Sequence, residues 1–272
     1  MRFGIAPPNW GPFGDPRAAV ELAVAAEQSG WDGYFSWDAL IVSNDPPPTY
    51  DPWTILSAVA TATQRIRIGT CIAVLARYKP HLLARTLASL DVLSHGRLTL
   101  GVGIGDGGKH FEAFGEPGDA RVRAEKLDEA LEVITRLWSG EEVTHHGKHY
   151  TVDGYALAAR PVQRPRVPIW VGGDSPAAMR RAGRWDGWIG PDEDPLSGTA
   201  EDVAAVRHRL GQAGASMPSF DIAWAGKTDP GHDGSVSAYE RAGATWWIEV
   251  AIGSREEILA RVAAGPPPVR MI

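Results

Sequence analysis

The sequence predicts an α/β protein folded as a single (β/α)8 barrel, with a hairpin inserted before the fifth barrel strand. Three observations carry that prediction. Eight short apolar runs suited to buried parallel strands alternate with eight stretches of helical periodicity. Pro16, Pro52, Pro80 and Pro176 stand where a helix should begin, the place in a helix that tolerates proline best. The chain is 272 residues long, near the usual length of such a barrel as one domain. A doubly wound open sheet is the alternative, but it usually carries fewer strands and a clear dinucleotide fingerprint.

The elements follow in order. A first strand over Phe3–Ala6 feeds a helix over Pro16–Ser29, closed by Gly30. The second strand, Gly33–Trp37, precedes a helix over Pro52–Thr63. Charged Arg65 and Arg67 alternate with Ile66 and Ile68 at the entry to a third strand, Ile66–Leu75, which leads to a helix over Pro80–Ser94. The fourth strand is Leu98–Val102 and its helix Arg121–Trp138. The gap to the fifth strand, Ile169–Val171, is far too long for one strand-helix unit. Its excess, residues 139–168, sets Glu142–His145 and His149–Val152 around a Gly147 turn, which reads as the inserted hairpin. Pro161, Pro165 and Pro168 then return the chain in extended form. Helices over Pro176–Arg184, Ala200–Ala213, Ser235–Ala242 and Arg255–Ala263 alternate with strands at Trp188–Ile189, Phe220–Ala225 and Trp246–Ala251 to complete the set.

Hydrophobic residues make up 44% of the chain and charged residues 22%, the balance of a soluble globular protein. A net charge of −6 argues against nucleic acid and anionic membrane surfaces as main partners. No apolar run reaches the roughly 18 residues of a membrane span. The strand-like start at Arg2 predicts no signal peptide. The lone Cys71 cannot form an internal disulfide, so the expected compartment is the cytoplasm. Eleven tryptophans are many for this length; they suit a ring-binding cavity or a core equally well.

In such a barrel the site lies where strands end, and that rule selects the candidates. Ile169–Val171 runs into Gly172-Gly173-Asp174-Ser175-Pro176, a strand, a glycine turn and a helix start. Backbone N–H groups and a helix dipole meeting there would suit a phosphate, although a plain connection needs the same Asp174 or Ser175 cap. Asp38, just past the second strand, fits a ring-binding acceptor, a proton carrier if burial raises its pKa, or a simple loop carboxylate. Gly101, Gly103 and Gly105 alternate at the end of the fourth strand. They leave one face bare, either for a flat group or for tight packing. Asp106, next to them, is a second carboxylate candidate, and Lys109 and His110 read as a solvated loop or, alternatively, as substrate contacts. His145, His146 and His149 have no cysteine or firm fourth ligand beside them, and a hairpin does not present them as a helix would, so no metal is expected. Cys71 reads as strand packing rather than a nucleophile.

With these pieces placed, the chain resembles the luciferase-like monooxygenase superfamily. The likeness rests on Arg65–Thr70, Leu90–Gly103, Glu112–Gly115, Ile169–Gly173 and the hairpin frame around Trp138, Gly147 and Tyr150. It implies a TIM barrel, usually a homodimer, holding a flavin or deazaflavin at the strand C-terminal ends. In the deazaflavin (coenzyme F420) branch, the phosphate would rest on Gly172, Gly173 and the turn at Gly190. The ring would rest against a bulge with a non-prolyl cis bond at Cys71–Ile72, next to Ala73. The implied activity is hydride transfer between F420 and an organic substrate; an FMN-dependent monooxygenase and a non-catalytic flavin-binding barrel are the alternatives. The family's Trp-Asp-His motif reads Trp37-Asp38-Ala39 here, and Ala39 cannot carry a proton. That leaves Asp38, Asp106 or a bare hydride transfer.

Overall fold

Strands apolar on both faces must be covered on both, and this chain meets that need by closing its sheet. The computed structural model describes residues 1–40, 45–105, 107–191, 198–228 and 235–267. In chain order its strands are β1 (Arg2–Ala6), β2 (Gly33–Ser36), β3 (Arg67–Thr70) with a short continuation β4 (Ala73–Val74), and β5 (Leu98–Gly103). They continue as β6 (Glu142–His146), β7 (Thr151–Ala156), β8 (Ile169–Gly172), β9 (Gly187–Gly190), β10 (Asp221–Gly226) and β11 (Trp246–Val250). β6 and β7 form an antiparallel hairpin apart from the main sheet. The others pair in parallel, with β1 joined to both β2 and β11 and β3 joined to β5. The result is the expected eight-stranded barrel.

Helices α1 (Pro16–Gln28), α2 (Pro52–Ala62), α3 (Pro80–Leu93), α5 (Ala120–Leu137), α6 (Pro176–Ala182), α7 (Ala200–Gln212), α8 (Ser235–Ala242) and α9 (Arg255–Ala263) cover the outside, with a short α4 (Lys109–Glu112) after β5. Their starts follow local chemistry. Asp15, Asp51 and Asp119 accept backbone N–H groups of the first turns of α1, α2 and α5, and Thr199 and Ser254 form capping boxes. Two expectations change. The third strand does not run unbroken over 66–75 but parts after Thr70. Lys109 and His110 belong to α4, whose Phe111 is buried.

The barrel interior is filled, not hollow. Phe35, Trp170 and Trp246 meet there, with ring centroids 5.3–5.7 Å apart. Glycine makes room for them: a methyl at Gly33 would strike the Phe35 ring, and one at Gly187 the Trp170 ring. Much of the tryptophan content is therefore core, with Trp31, Trp188 and Trp224 also fully buried. The hairpin lies against α5. Nε2 of His145 is 3.1 Å from Oε1 of Glu129, and Nε2 of His149 is 3.1 Å from Oε2 of Glu125. Among the described residues no three His, Cys, Asp or Glu side chains gather to hold a metal, and no helix is long and apolar enough to cross a membrane.

Candidate active site

The break after Thr70 organises the C-terminal mouth of the barrel. The Cys71–Ile72 peptide bond is cis and the chain resumes pairing as β4, opposite Val102 and Gly103 of β5. Cys71 is half-buried and its N–H donates to the Ser36 carbonyl at 2.9 Å. Ile72 projects across the mouth. A methyl at Gly103 would fall on its Cδ1, one at Gly101 on the Thr70 carbonyl, and one at Gly105 within 2.7 Å of Val74 Cγ1. Of the two readings of these glycines, a face for a flat group or tight packing, the contacts favour packing. The space beside Gly101, Gly103 and Gly105 is taken by the third strand, which needs it in order to lean over. Ala73 is buried and packs with the outer core, so any contact it makes with a ligand is through its backbone.

Asp38 holds this bulge from the side. Its Oδ2 accepts the Val74 N–H at 2.9 Å and its Oδ1 accepts the Tyr78 hydroxyl at 3.0 Å. Its own carbonyl accepts from Arg77 at 3.1 Å. Burial pushes the carboxyl up to about 6, against the opposing pull of the Val74 N–H, Arg77 and Tyr78. The Tyr78 hydroxyl is also raised, by burial and then by Asp38, so it stays a donor. Asn9 fixes the residue after Asp38: its Oδ1 accepts the Ala39 N–H at 3.1 Å and its Nδ2 donates to the Ala39 carbonyl at 3.0 Å. Beyond β5, Phe111 lies between two guanidinium groups, Arg77 at 5.3 Å and Arg123 at 5.0 Å. Arg123 also donates to the carbonyls of Ile104 and Gly105. Asp106 falls outside the described residues.

A raised carboxyl is a stability statement. A group with a folded pKa of about 6 and an unperturbed value of 3.8 favours the fold below pH 4, and the contribution is lost as pH rises through 6. Asp38→Asn removes the buried charge and keeps an acceptor for Val74. It should therefore be more stable than the wild type at pH 8 by about 2–3 kcal/mol, with the gain gone at pH 4. Thermal unfolding at both pH values checks this; an equal gain at each would assign the effect to something other than titration.

Across the mouth, the Gly172–Gly173 turn follows β8. Gly173 has φ 109°, a value that suits glycine. Its carbonyl accepts the Trp188 indole N–H at 3.0 Å, and the Asp174 carbonyl accepts from Arg209 at 3.1 Å. In a planar trans peptide the N–H points opposite to the C=O. The N–H groups of Asp174 and Ser175 are thus turned away from Trp188 and Arg209. Ser175 caps α6, accepting the Ala178 N–H at 3.1 Å. Gly190 ends β9 beside the Trp188 ring, and its bond to Pro191 is cis. The structure brings Asp38, Cys71, Ile72, Ala73, Gly172, Gly173, Asp174, Ser175 and Gly190 to one end of the barrel. Sequence reasoning missed Val74, Tyr78 and Trp188, whose parts depend on partners far along the chain.

Fold and mouth define a (β/α)8-barrel protein with its candidate site at the strand C-terminal ends. The chain belongs to the luciferase-like monooxygenase family, which it matches over residues 2–264. An F420-dependent glucose-6-phosphate dehydrogenase of Microbacterium testaceum is 33% identical over 266 residues, covering 95% of this chain and 76% of that one. An F420-dependent hydroxymycolic acid dehydrogenase of Mycobacterium tuberculosis is 35% identical over 178 residues, 64% of this chain and 49% of the relative. A glucose-6-phosphate dehydrogenase of Nakamurella multipartita, also F420-dependent, is matched over 61% of its length at 34% identity. The chain thus spans from about half to three quarters of these relatives. Among solved structures, the coenzyme F420-dependent tetrahydromethanopterin reductase of Methanopyrus kandleri superposes with a TM-score of 0.77 at 18% identity, covering 97% of this chain and 96% of that one. The FMN-bound oxygenating constituent of 3,6-diketocamphane monooxygenase from Pseudomonas putida gives 0.65 at 18%, covering 82% and 66%. Likeness at these identities shows the fold.

Proposed function

We propose that this protein is an oxidoreductase that moves a hydride between the deazaflavin coenzyme F420 and a small organic substrate. The observation that carries the reading is Ile72, lifted across the barrel mouth over positions that β5 keeps free of side chains. The mouth fits the coenzyme on two counts. Cys71, Ile72 and the Ala73 backbone would back its ring. The turn of Gly172, Gly173, Asp174 and Ser175, with its carbonyls drawn toward Trp188 and Arg209, would offer N–H groups to its phosphate, with Gly190 alongside. The F420-dependent names of its relatives support the same choice. When bound, the deazaflavin supplies the hydride chemistry; the protein supplies position and electrostatics.

Each side chain then has a part. Ile72 orients the ring and keeps water from its back. Asp38 fixes Val74 and Tyr78, and below about pH 6 it holds a proton at the edge of the site. Ala39 holds none, so Asp38 and Asp106 are our assignments for proton handling. We further propose that the chain acts as one barrel unit in a homodimer, as the family resemblance suggests, and in the cytoplasm, as its single cysteine suggests. A fluorescence titration with F420 and with FMN tests the central reading. Saturable F420 binding supports it; tight FMN binding with oxygen consumption would replace it with a flavin monooxygenase.

A further inference from the structure

We propose that a cavity on the rim of the mouth, between the loops after β1 and β11, is a binding subsite for a small apolar group such as an aryl ring or a branched alkyl chain. Its volume is about 120 Å3, and Pro7, Pro8, Trp10, Phe13, Ile252 and Ile258 supply most of its walls. An apolar cavity of about 150 Å3 holds benzene, so this one takes a group of that order of size. Pro7 follows the last residue of β1 and Ala251 the last of β11, which puts the cavity at the same barrel end as Ile72 and the Gly172–Gly173 turn.

Trp10 joins the two places. Its ring centroid lies 5.4 Å from that of Trp37, edge to face. Trp37 in turn packs, with Cys71 and Ile72, on the inner cluster of the barrel. Trp10 thus links the rim to the inner cluster on which the bulge also packs. The walls are pinned as well. Arg255 donates to the Pro12 carbonyl at 3.3 Å and lies over the Phe13 ring at 4.9 Å, Lys227 donates to the Ile252 carbonyl at 3.2 Å, and the Ala251 N–H donates to the Ala6 carbonyl at 3.2 Å. These contacts hold the cavity ready-formed, and a preformed apolar cleft open on one side suits a ligand group. Resting on the redox reading above, that group is the apolar part of the substrate, and the substrate class is an organic compound bearing an aryl or branched alkyl group.

Calorimetric titration with toluene tests the subsite, using the wild type, Ala251→Leu and Ile252→Glu. Ala251→Leu fills the void from a strand end. Ile252→Glu charges a wall residue that is already 49% exposed, a change the fold tolerates. Toluene affinity should fall at least tenfold in both, with F420 affinity within twofold of the wild type. Toluene binding equally to all three proteins, or to none, overturns the subsite. Toluene following the expected pattern while F420 fails to bind overturns the redox reading and leaves the subsite standing.

Discussion

Gly101→Ala should destabilise the protein by about 3 kcal/mol or more, the upper end of the cost of overpacking. The added methyl would fall on the Thr70 carbonyl oxygen, which is backbone of β3. That strand cannot retreat, because the Thr70 hydroxyl donates to the Gly101 carbonyl at 2.7 Å and β3 is paired on its far side with β2. Gly103→Ala is the instructive partner. Its methyl meets the side chain of Ile72, falling on Cδ1 and lying 3.3 Å from Cγ1; that side chain can change rotamer, and the expected cost is about 1–2 kcal/mol. Urea unfolding of the two variants separates them. A Gly101→Ala protein as stable as the wild type would remove the packing account of the alternating glycines.

Gly172→Val should weaken F420 binding at least tenfold, about 1.4 kcal/mol or more, while the protein stays folded. A Cβ here would lie 3.3 Å from Ile72 Cγ2, 3.5 Å from the Val102 carbonyl and 3.6 Å from the Ile189 carbonyl. The site admits a β carbon with a small adjustment. The two γ carbons of valine must then take up space beside Ile72 that we assign to the coenzyme. The loss therefore falls on affinity more than on folding, which fluorescence titration and thermal unfolding read separately. Unchanged affinity would place the phosphate elsewhere.

The fold was legible because its signals are local. Proline at the first helical turn, aspartate or serine ahead of it and an apolar run before the next one set most boundaries to within two residues, and each can be read from a few neighbours. The glycine turn after β8 was legible for the same reason. The rest depended on distance. Nothing near Asp38 in sequence announces that its carboxylate takes the N–H of Val74 and the hydroxyl of Tyr78, 36 and 40 residues on. Lys109 and His110 read as a solvated loop because the contacts that anchor their helix, Arg77 and Arg123 against Phe111, come from elsewhere in the chain. The third strand looked continuous from Ile66 to Leu75 because each of its residues suits a strand. Its break was expected only from the family resemblance, and the alternating glycines of β5 could be weighed correctly only with Thr70 and Ile72 in view.

The aromatic floor of Phe35, Trp170 and Trp246 has a kinetic consequence. A barrel stoppered in this way is a vessel with one opening, so nothing can pass through it from end to end. On the proposed reading, a coenzyme ring on Ile72 would sit beneath the molecule that reacts with it, and both would use the same opening. Exchange should then be ordered: the deeper molecule enters first and departs last, and an excess of the upper one traps it in place.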